Sequence, residues 1–437
     1  MKRKLLWIFA AVVPCLVVSF LTMAASSAGA QALGLEPQVE AARREAGIPV
    51  GPGLWRLYGE DPTLSGTEDL APLRRMIGKA TVVGLGEAWH TSGGFYKMKH
   101  RIFRDLVENM GFRVFAIESH WVSGEKANRY VQTCEGSPEA AINLHIPVWQ
   151  SVELRDLVQW MCEWNQAHPD DRVHYLGFDV QGSSLGPNLD GPGLIAFLGR
   201  IGIPEAHPWV AGIRQCEGVT VSHPFDQIPS ETHQQCLAAL TEIEGHFQRN
   251  GRSIEEQTSS GDFFIAKLQL LSLKAWQEEV FLIGGDFARG FNKRDEAMAK
   301  VFFLLRERNF PKAKAVVWAA NIHVARALVP NGARPMGSFL AAKLGRNYVN
   351  FALAAYHAEV DVGACEVREA VPGSIEDRLH ALGEDALLVD LARSSYLRPR
   401  IYEMGTFPFQ PRLHFNGIIF LETSERMQPT ASAPCRR

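Results

Sequence analysis

The stretch 81–118, TVVGLGEAWHTSGGFYKMKHRIFRDLVENMGFRVFAIE, holds two apolar runs with a helical segment between them. Thr81–Gly86 is rich in valine and too short for a helix, so it reads as a buried strand. Tyr96–Met110 has helical spacing with its charges on one face, and Arg113–Glu118 is a second strand. The same alternation continues outward. Val173–Phe178, Ala313–Ala319, Tyr348–Ala354 and Gly417–Leu421 read as strands, and Glu153–Asn165, Phe263–Leu282 and Asn292–Arg308 as helices. Apolar strands alternating with amphipathic helices predict an α/β fold, with a mostly parallel central sheet flanked by helices. No repeat of fixed period is present.

Residues 1–30 have the pattern of a signal peptide: Lys2, Arg3 and Lys4, an apolar run from Leu5 to Met23, then Ala28-Gly29-Ala30 as a cleavage site. Cleavage is expected after Ala30, or after Ala32 as a fallback, with a retained membrane anchor as the alternative. The product is expected to be exported, to the periplasm or outside the cell, and not to bind membrane once cleaved. Residues 31–70 are punctuated by Gly and Pro and are expected to wrap the surface. Residues 71–425 form the main domain. Residues 205–260, polar and carrying His207, His223, His233 and His246, interrupt the alternation as a partly helical insertion covering the active-site edge. Residues 426–437 read as a loose tail.

Composition narrows the function classes. The 437 residues include 45 Lys+Arg and 48 Asp+Glu, a formal net charge of −3, and 46% are hydrophobic. Removing Lys2, Arg3 and Lys4 leaves 42 bases against 48 acids, or −6. No basic excess points to nucleic acid. Beyond the leader stand Cys134, Cys162, Cys216, Cys236, Cys365 and Cys435, an even number that an oxidising compartment permits to pair. Many pairings are open. Cys216 with Cys236 is the local pair to test first.

In open α/β sheets, ligands bind outside the carboxyl ends of parallel strands. Glu87 and His90 follow the first strand, Glu118 ends the second with His120 beyond it, Asp179 follows the third, and Asn321 and His323 follow the fourth. Four strands delivering ionisable groups to one edge favour a catalytic or metal site over scattered polarity. A neutral imidazole can accept a proton from water near neutral pH, and a carboxylate beside it can orient the ring. A second histidine, or Lys99 or Arg294, could stabilise an oxyanion. Lys99, Arg294 and Asp295 lie on helices, where a solvated face is the default expectation. His323 could equally be a satisfied core histidine, and Asp179 a turn residue. No G-x-S-x-G, G-x-G-x-x-G, P-loop or H-E-x-x-H motif is present.

The block GLGEAWHTSGGFYKMKHRIFRDLVENMGFRVFAIES (84–119) resembles the signature of the erythromycin esterase family. Similar segments follow in order: W-N-x-x-H-P at Trp164–Pro169, G-F-D-x-Q at Gly177–Gln181, NKRDEAMA at 292–299, VVWAANIHV at 316–324 and FNGIIFLET at 415–423. The resemblance implies hydrolysis of a macrolide lactone by histidine-activated water, with no obligatory metal or other cofactor. It implies His90 as general base, with Glu87 and Glu118 as active-site glutamates and His323 as the second histidine of the W-A-H-N-x-H segment. Lys99 falls where the family has a basic residue, and Arg294 and Asp295 match its R-D pair. One departure stands out: Ala320 occupies the position of that segment's first histidine. An alanine there can neither donate a hydrogen bond nor move a proton, and losing such a donor could cost about a hundredfold in rate. His120 is the candidate replacement.

Three functions follow. The leading expectation is an exported hydrolase acting on a small-molecule ester or lactone, with macrolides among the candidates, through His90, Glu87, Glu118 and His323. Lys99, Arg294, Asp295, Asp179 and His120 would serve substrate binding. The second is a metal-dependent hydrolase using the same groups as ligands. The third is a non-catalytic binding member of the family, disabled at Ala320.

Overall fold

The computed structural model describes residues 47–430, apart from 65, 182–189, 217–229, 284, 330–331, 362–364, 395–401 and 405–406. Its strands are β1 (Ile48–Gly51), β2 (Leu54–Arg56), β3 (Val82–Leu85), β4 (Phe112–His120), β5 (His174–Asp179), β6 (Lys314–Trp318), β7 (Tyr348–Asp361), β8 (Cys365–Glu369), β9 (Ala386–Asp390), β10 (Tyr402–Met404), β11 (Phe407–Phe409) and β12 (Gly417–Ser424). One sheet has the order β1-β2-β9-β12-β7-β3-β6-β4-β5, with β8 also on β7, and β10 and β11 form a separate hairpin. From β12 to β5 every pairing is parallel. These six parallel strands are the six expected from apolar runs. The antiparallel margin of β9, β2 and β1 is added on one side.

Burial on both faces explains the near-continuous apolar runs. Val82, Val114, Phe178, Val317 and Ile418 face one core, which holds Met298 and Phe302 of the helix Phe287–Asn309. Val83, Phe115, Tyr175, Val316 and Ile419 face the opposite core, which holds Phe95 and Ile102 of Gly93–Met110 and Leu157 of Val152–Ala167. Neighbouring strand residues therefore serve opposite cores, as the strand's period of two requires.

The helix Gly93–Met110 ends at Gly111, whose φ of 70° is left-handed and suits a residue without Cβ. Part of its charged face is buried. Arg101 donates to Asp69 at 2.6 and 2.8 Å, and Asp105 accepts from Arg74. The segment ahead of residue 70 thus does more than wrap the surface. It supplies the last two strands on one side of the sheet, and its Asp69 neutralises Arg101 on a buried part of the helix.

The expectation of a loose tail from 426 is corrected over 426–430. Met427 is buried and its N–H donates to Thr91 O at 2.9 Å, while Thr430 N–H donates to Gln150 O at 2.9 Å. Residues 431–437, like residues 1–46, lie outside the described residues.

The inserted region contains the helices Pro208–Cys216 and Ser230–Gln257. They pack with Asp190–Arg200 and Ser260–Ile283 around a small core of their own, including Leu240, Ile243, Phe247 and Phe263. Disulfides join Cys134 to Cys162 and Cys216 to Cys236.

Candidate active site

Four adjacent parallel strands, β3, β6, β4 and β5, present their carboxyl ends to one place. Beyond them lies a cavity of about 330 Å³, lined among the described residues by Glu87, His90, Glu279, Phe291, Arg294, Ala320 and His323 together with several apolar neighbours. The described part of 205–260 contributes nothing to this lining. Cover over the strand ends comes instead from Glu279 and Ile283 of Ser260–Ile283 and from the first two turns of Phe287–Asn309.

Glu87 leaves β3 fully buried and meets three donors. Its Oε1 holds His90 Nδ1 at 2.6 Å, and its Oε2 accepts from Lys99 Nζ at 2.6 Å and Trp318 Nε1 at 2.8 Å. His90 stands edge-on to Trp149, with ring centres 5.1 Å apart, and its side chain remains 35% exposed. Its Nδ1 is committed to a carboxylate, so a neutral ring carries its proton there and leaves Nε2 as the accepting nitrogen. Burial pushes the His90 pKa down, but the Glu118 and Glu87 carboxylates outweigh it and raise the ring above its ordinary value. The loop carrying His90 is held by Tyr96, whose hydroxyl lies within hydrogen-bond distance of the carbonyls of His90 and Val148.

Lys99 is not a solvated helix residue, and it does not line the cavity. It lies under Glu87 and over the Trp318 ring, 4.3 Å from its centre, with no exposed side-chain area. Burial lowers its pKa to about 8, against the pull of Glu87.

A second network is built behind the cavity. Arg294 donates to both oxygens of Asp179, at 3.0 and 2.7 Å, and to Glu118 Oε1 at 2.9 Å. Glu118 Oε1 also lies 3.2 Å from His323 Nε2, while its Oε2 accepts from the Ala320 N–H at 2.8 Å. Burial disfavours the charged form of Glu118, yet His323, His90 and Arg294 hold its carboxyl well below the usual range. His323 Nδ1 meets Asp295 at 2.9 and 3.0 Å, and its ring stacks on Phe291 with planes 5° apart. Burial opposes its charge, but Asp295 and Glu118 raise its pKa to about 10. Asp295, in turn, is buried, accepts Met336 N–H at 2.6 Å, and has its carboxyl pushed up by burial despite His323. Phe291, Arg294 and Asp295 lie at spacings of three and four and therefore share one helix face.

Ala320 and His323 reach the same cavity because the chain turns after β6. Ala320 precedes a short helix, Asn321–Val324. Asn321 does not make this turn through an unusual backbone. It clamps the sheet: its amide donates to Leu353 O at 2.9 Å, its Oδ1 accepts Leu353 N–H at 3.1 Å, and its own N–H donates to Glu87 O at 2.8 Å.

Among the residues expected to bind substrate, only Arg294 lines the cavity. Asp179, Asp295 and Lys99 stand behind other groups and position them. His120 does not reach the cavity. Its Nε2 meets Asp190 at 2.9 Å, and its Nδ1 accepts the Val122 N–H at the start of Trp121–Thr133. The chain bends at the end of β4, so His120 caps the next helix and cannot stand in for the absent histidine. Glu279 carries no signal in the sequence, because it sits in the last turns of a long helix beside Glu278, with no motif around it. Among the described residues, no three His, Cys, Asp or Glu side chains converge as metal ligands. The carboxylates here face Arg294, Lys99 and the histidine rings instead.

A family model described as erythromycin esterase matches residues 107–424, most of the chain. An Escherichia coli protein named erythromycin esterase type II is 30% identical over 125 residues, 28% of this chain and 29% of that protein. A putative hydrolase of Bacillus subtilis (strain 168), YbfO, is 24% identical over 373 residues, 76% of this chain and 78% of its own length. The chain thus matches under a third of the length of the first relative and over three-quarters of the second. A Bacillus cereus protein of known crystal structure superposes with a TM-score of 0.70 at 22% identity, covering 90% of this chain and 98% of its own. An erythromycin esterase variant in its open conformation superposes with a TM-score of 0.70 at 16% identity, covering 86% and 98%. At these identities the superpositions show a shared fold, and the sequence matches support hydrolase-like chemistry in a broad sense. Given the extent of the family match, the chain belongs to the erythromycin esterase family.

Proposed function

We propose that the protein hydrolyses an ester or lactone of a small molecule with water activated by His90. The observation that carries this reading is the Glu87–His90 pair at 2.6 Å, which leaves Nε2 of a partly exposed ring as the available base beside Arg294 and His323. His90 would take a proton from water as the oxygen adds to the carbonyl. Glu87 and Glu118 would stabilise the imidazolium so formed. Arg294, held by Asp179, and the His323 cation would oppose the negative charge that develops on the carbonyl oxygen. The name of the Escherichia coli relative makes macrolides the first substrates to test. The cavity is at the small end of ligand pockets, which run from about 300 to 1,000 Å³.

Incubating the purified protein with macrolides and simple esters, followed by mass spectrometry, should reveal a product heavier by one water. Absence of such a product from every substrate, with folded protein, would favour the second reading: a binding member of the family. Ala320 is the observation behind that reading, since it lines the cavity where a proton-donating ring is expected.

Export is part of the same proposal. The signal-like start of the sequence supports it, as do the disulfides Cys134–Cys162 and Cys216–Cys236, since disulfides persist in oxidising compartments. Protein from the native host should begin at Gln31, or at Leu33 after the alternative cut. N-terminal sequencing that finds Met1 retained in a membrane fraction would replace cleavage with anchoring.

A further inference from the structure

Glu279 has no place in the reaction just described, yet it lines the same cavity. It lies near the end of the helix Ser260–Ile283 and is 5% exposed. Its Oε2 is buried and meets no hydrogen-bond donor among the described residues. Arg294 Nε is 4.0 Å away, beyond hydrogen-bond reach, because that N–H is directed at Asp179 Oδ1 at 3.0 Å. A buried carboxylate oxygen without a donor is costly, whereas a protonated oxygen carries its own hydrogen and lacks only an acceptor.

Apart from the His90 imidazolium that the first step creates, the other groups in the cavity are poor proton donors to a leaving oxygen. Both ring nitrogens of His323 lie against carboxylates. A guanidinium does not release its proton. Ala320 has none to give. We propose that Glu279 is the general acid of this site, protonating the departing alcohol oxygen and filling the role left open at Ala320. This rests on the ester-hydrolase reading. His90 Nε2 takes one proton from water while the water oxygen bonds to the carbonyl carbon. The bond from that carbon to the alcohol oxygen then breaks, and its electron pair stays on the oxygen. That oxygen takes the proton of Glu279. The Glu279 carboxylate recovers a proton from the His90 imidazolium through water. Ester and water become acid and alcohol, with both side chains restored.

The surroundings keep the proton on Glu279 until it is needed. Burial is the largest influence raising its pKa, Asp179 and Asp295 add to it, and Arg294 and His323 oppose it, which leaves it at about 8.

The test uses the full-length protein and a series of esters with one acyl group and leaving alcohols of graded acidity. With Glu279 donating, wild-type rates should depend only weakly on the acidity of the alcohol. Glu279→Gln, which keeps size but cannot release a proton, should slow an alkyl ester about a hundredfold or more. Its loss on a p-nitrophenyl ester should be at least about tenfold smaller, because that leaving group departs without a proton. Infrared spectra of the wild type near neutral pH should contain a carboxylic-acid carbonyl band that Glu279→Gln lacks. Equal losses on both esters, or a steep wild-type dependence on the alcohol, would overturn the proposal while leaving ester hydrolysis standing. The wild-type series gives this answer even if the variant does not fold. Wild-type protein that turns over no ester in the series overturns the ester-hydrolase reading, and this proposal with it.

Discussion

His90 and His323 carry the same ring and are placed for opposite charge states. His90 has one carboxylate partner and an exposed edge, and His323 lies between two carboxylates and out of water. A base must be neutral to accept a proton, so activity should fall as pH drops through the raised pKa of His90, above the ordinary 6.5. In Glu87→Gln one of the interactions that raise it is gone, so the acid limb of kcat/KM should move toward lower pH. Histidine NMR across the same range should show His90 titrating while His323 stays charged until about pH 10. A His323 signal that titrates near 6.5 would remove it from the role of fixed cation. Ala320 makes a second prediction at this scale. Its backbone N–H is already held by Glu118, so a larger side chain can be added without breaking that contact. Ala320→His should increase ester or macrolide hydrolysis about tenfold to a hundredfold, or about 1.4–2.7 kcal/mol of barrier. No gain with any ester or macrolide would argue against a merely weakened macrolide esterase.

The junction between β3 and the short helix Asn321–Val324 holds the two halves of the site in register. A Cβ on Gly86 would lie 2.1 Å from Asn321 Oδ1 and 3.0 Å from Asn321 Cα. Asn321 cannot yield cheaply, because its side chain bridges to both backbone groups of Leu353. Gly86→Ala should therefore destabilise the protein by about 1–3 kcal/mol, the usual cost of overpacking. It should also lower turnover, since Glu87 and His323 flank the displaced contact. Denaturant midpoints and kcat measured together check this. An unchanged midpoint with normal turnover would mean that the junction relaxes freely. Both termini of the described chain act at the same level. Arg101 and Asp69 pair beneath Gly93–Met110, and Glu425 O accepts the Gly93 N–H at 2.6 Å just beyond the His90 loop.

Across the molecule, two cores sandwich the sheet and a third lies among the inserted helices, so covalent ties between helices have distinct places to act. Cys134–Cys162 closes a sequence separation of 28 between Trp121–Thr133 and Val152–Ala167 on the sheet's own helical layer. Replacing both cysteines by serine should lower stability by about 3–4 kcal/mol if loop entropy dominates, lowering Tm by several degrees. Thermal unfolding of variant and wild type measures it. A Tm equal to that of the wild type would mean that the unfolded chain gains little freedom from the loss.

The sequence by itself determined the six parallel strands, because a strand covered on both faces must be apolar nearly throughout, and that leaves a local signal. It also determined that Glu87, His90, Glu118 and His323 gather at one edge, since each lies at or just past the carboxyl end of a parallel strand. Tertiary structure alone decided the rest. The marginal strands β1 and β2 have only four and three residues and are partly exposed, so they need no near-continuous apolar run. Lys99, Arg101, Arg294 and Asp295 have the composition of a solvated helix face, but their burial depends on carboxylates and cations supplied from distant segments. His120 is adjacent to Glu118 in sequence and still leaves the site, because the bend at the end of β4 turns it toward Asp190. Glu279 enters the site with no local pattern to announce it: its long helix passes over the strand ends, and the burial and nearby charges met there set its protonation.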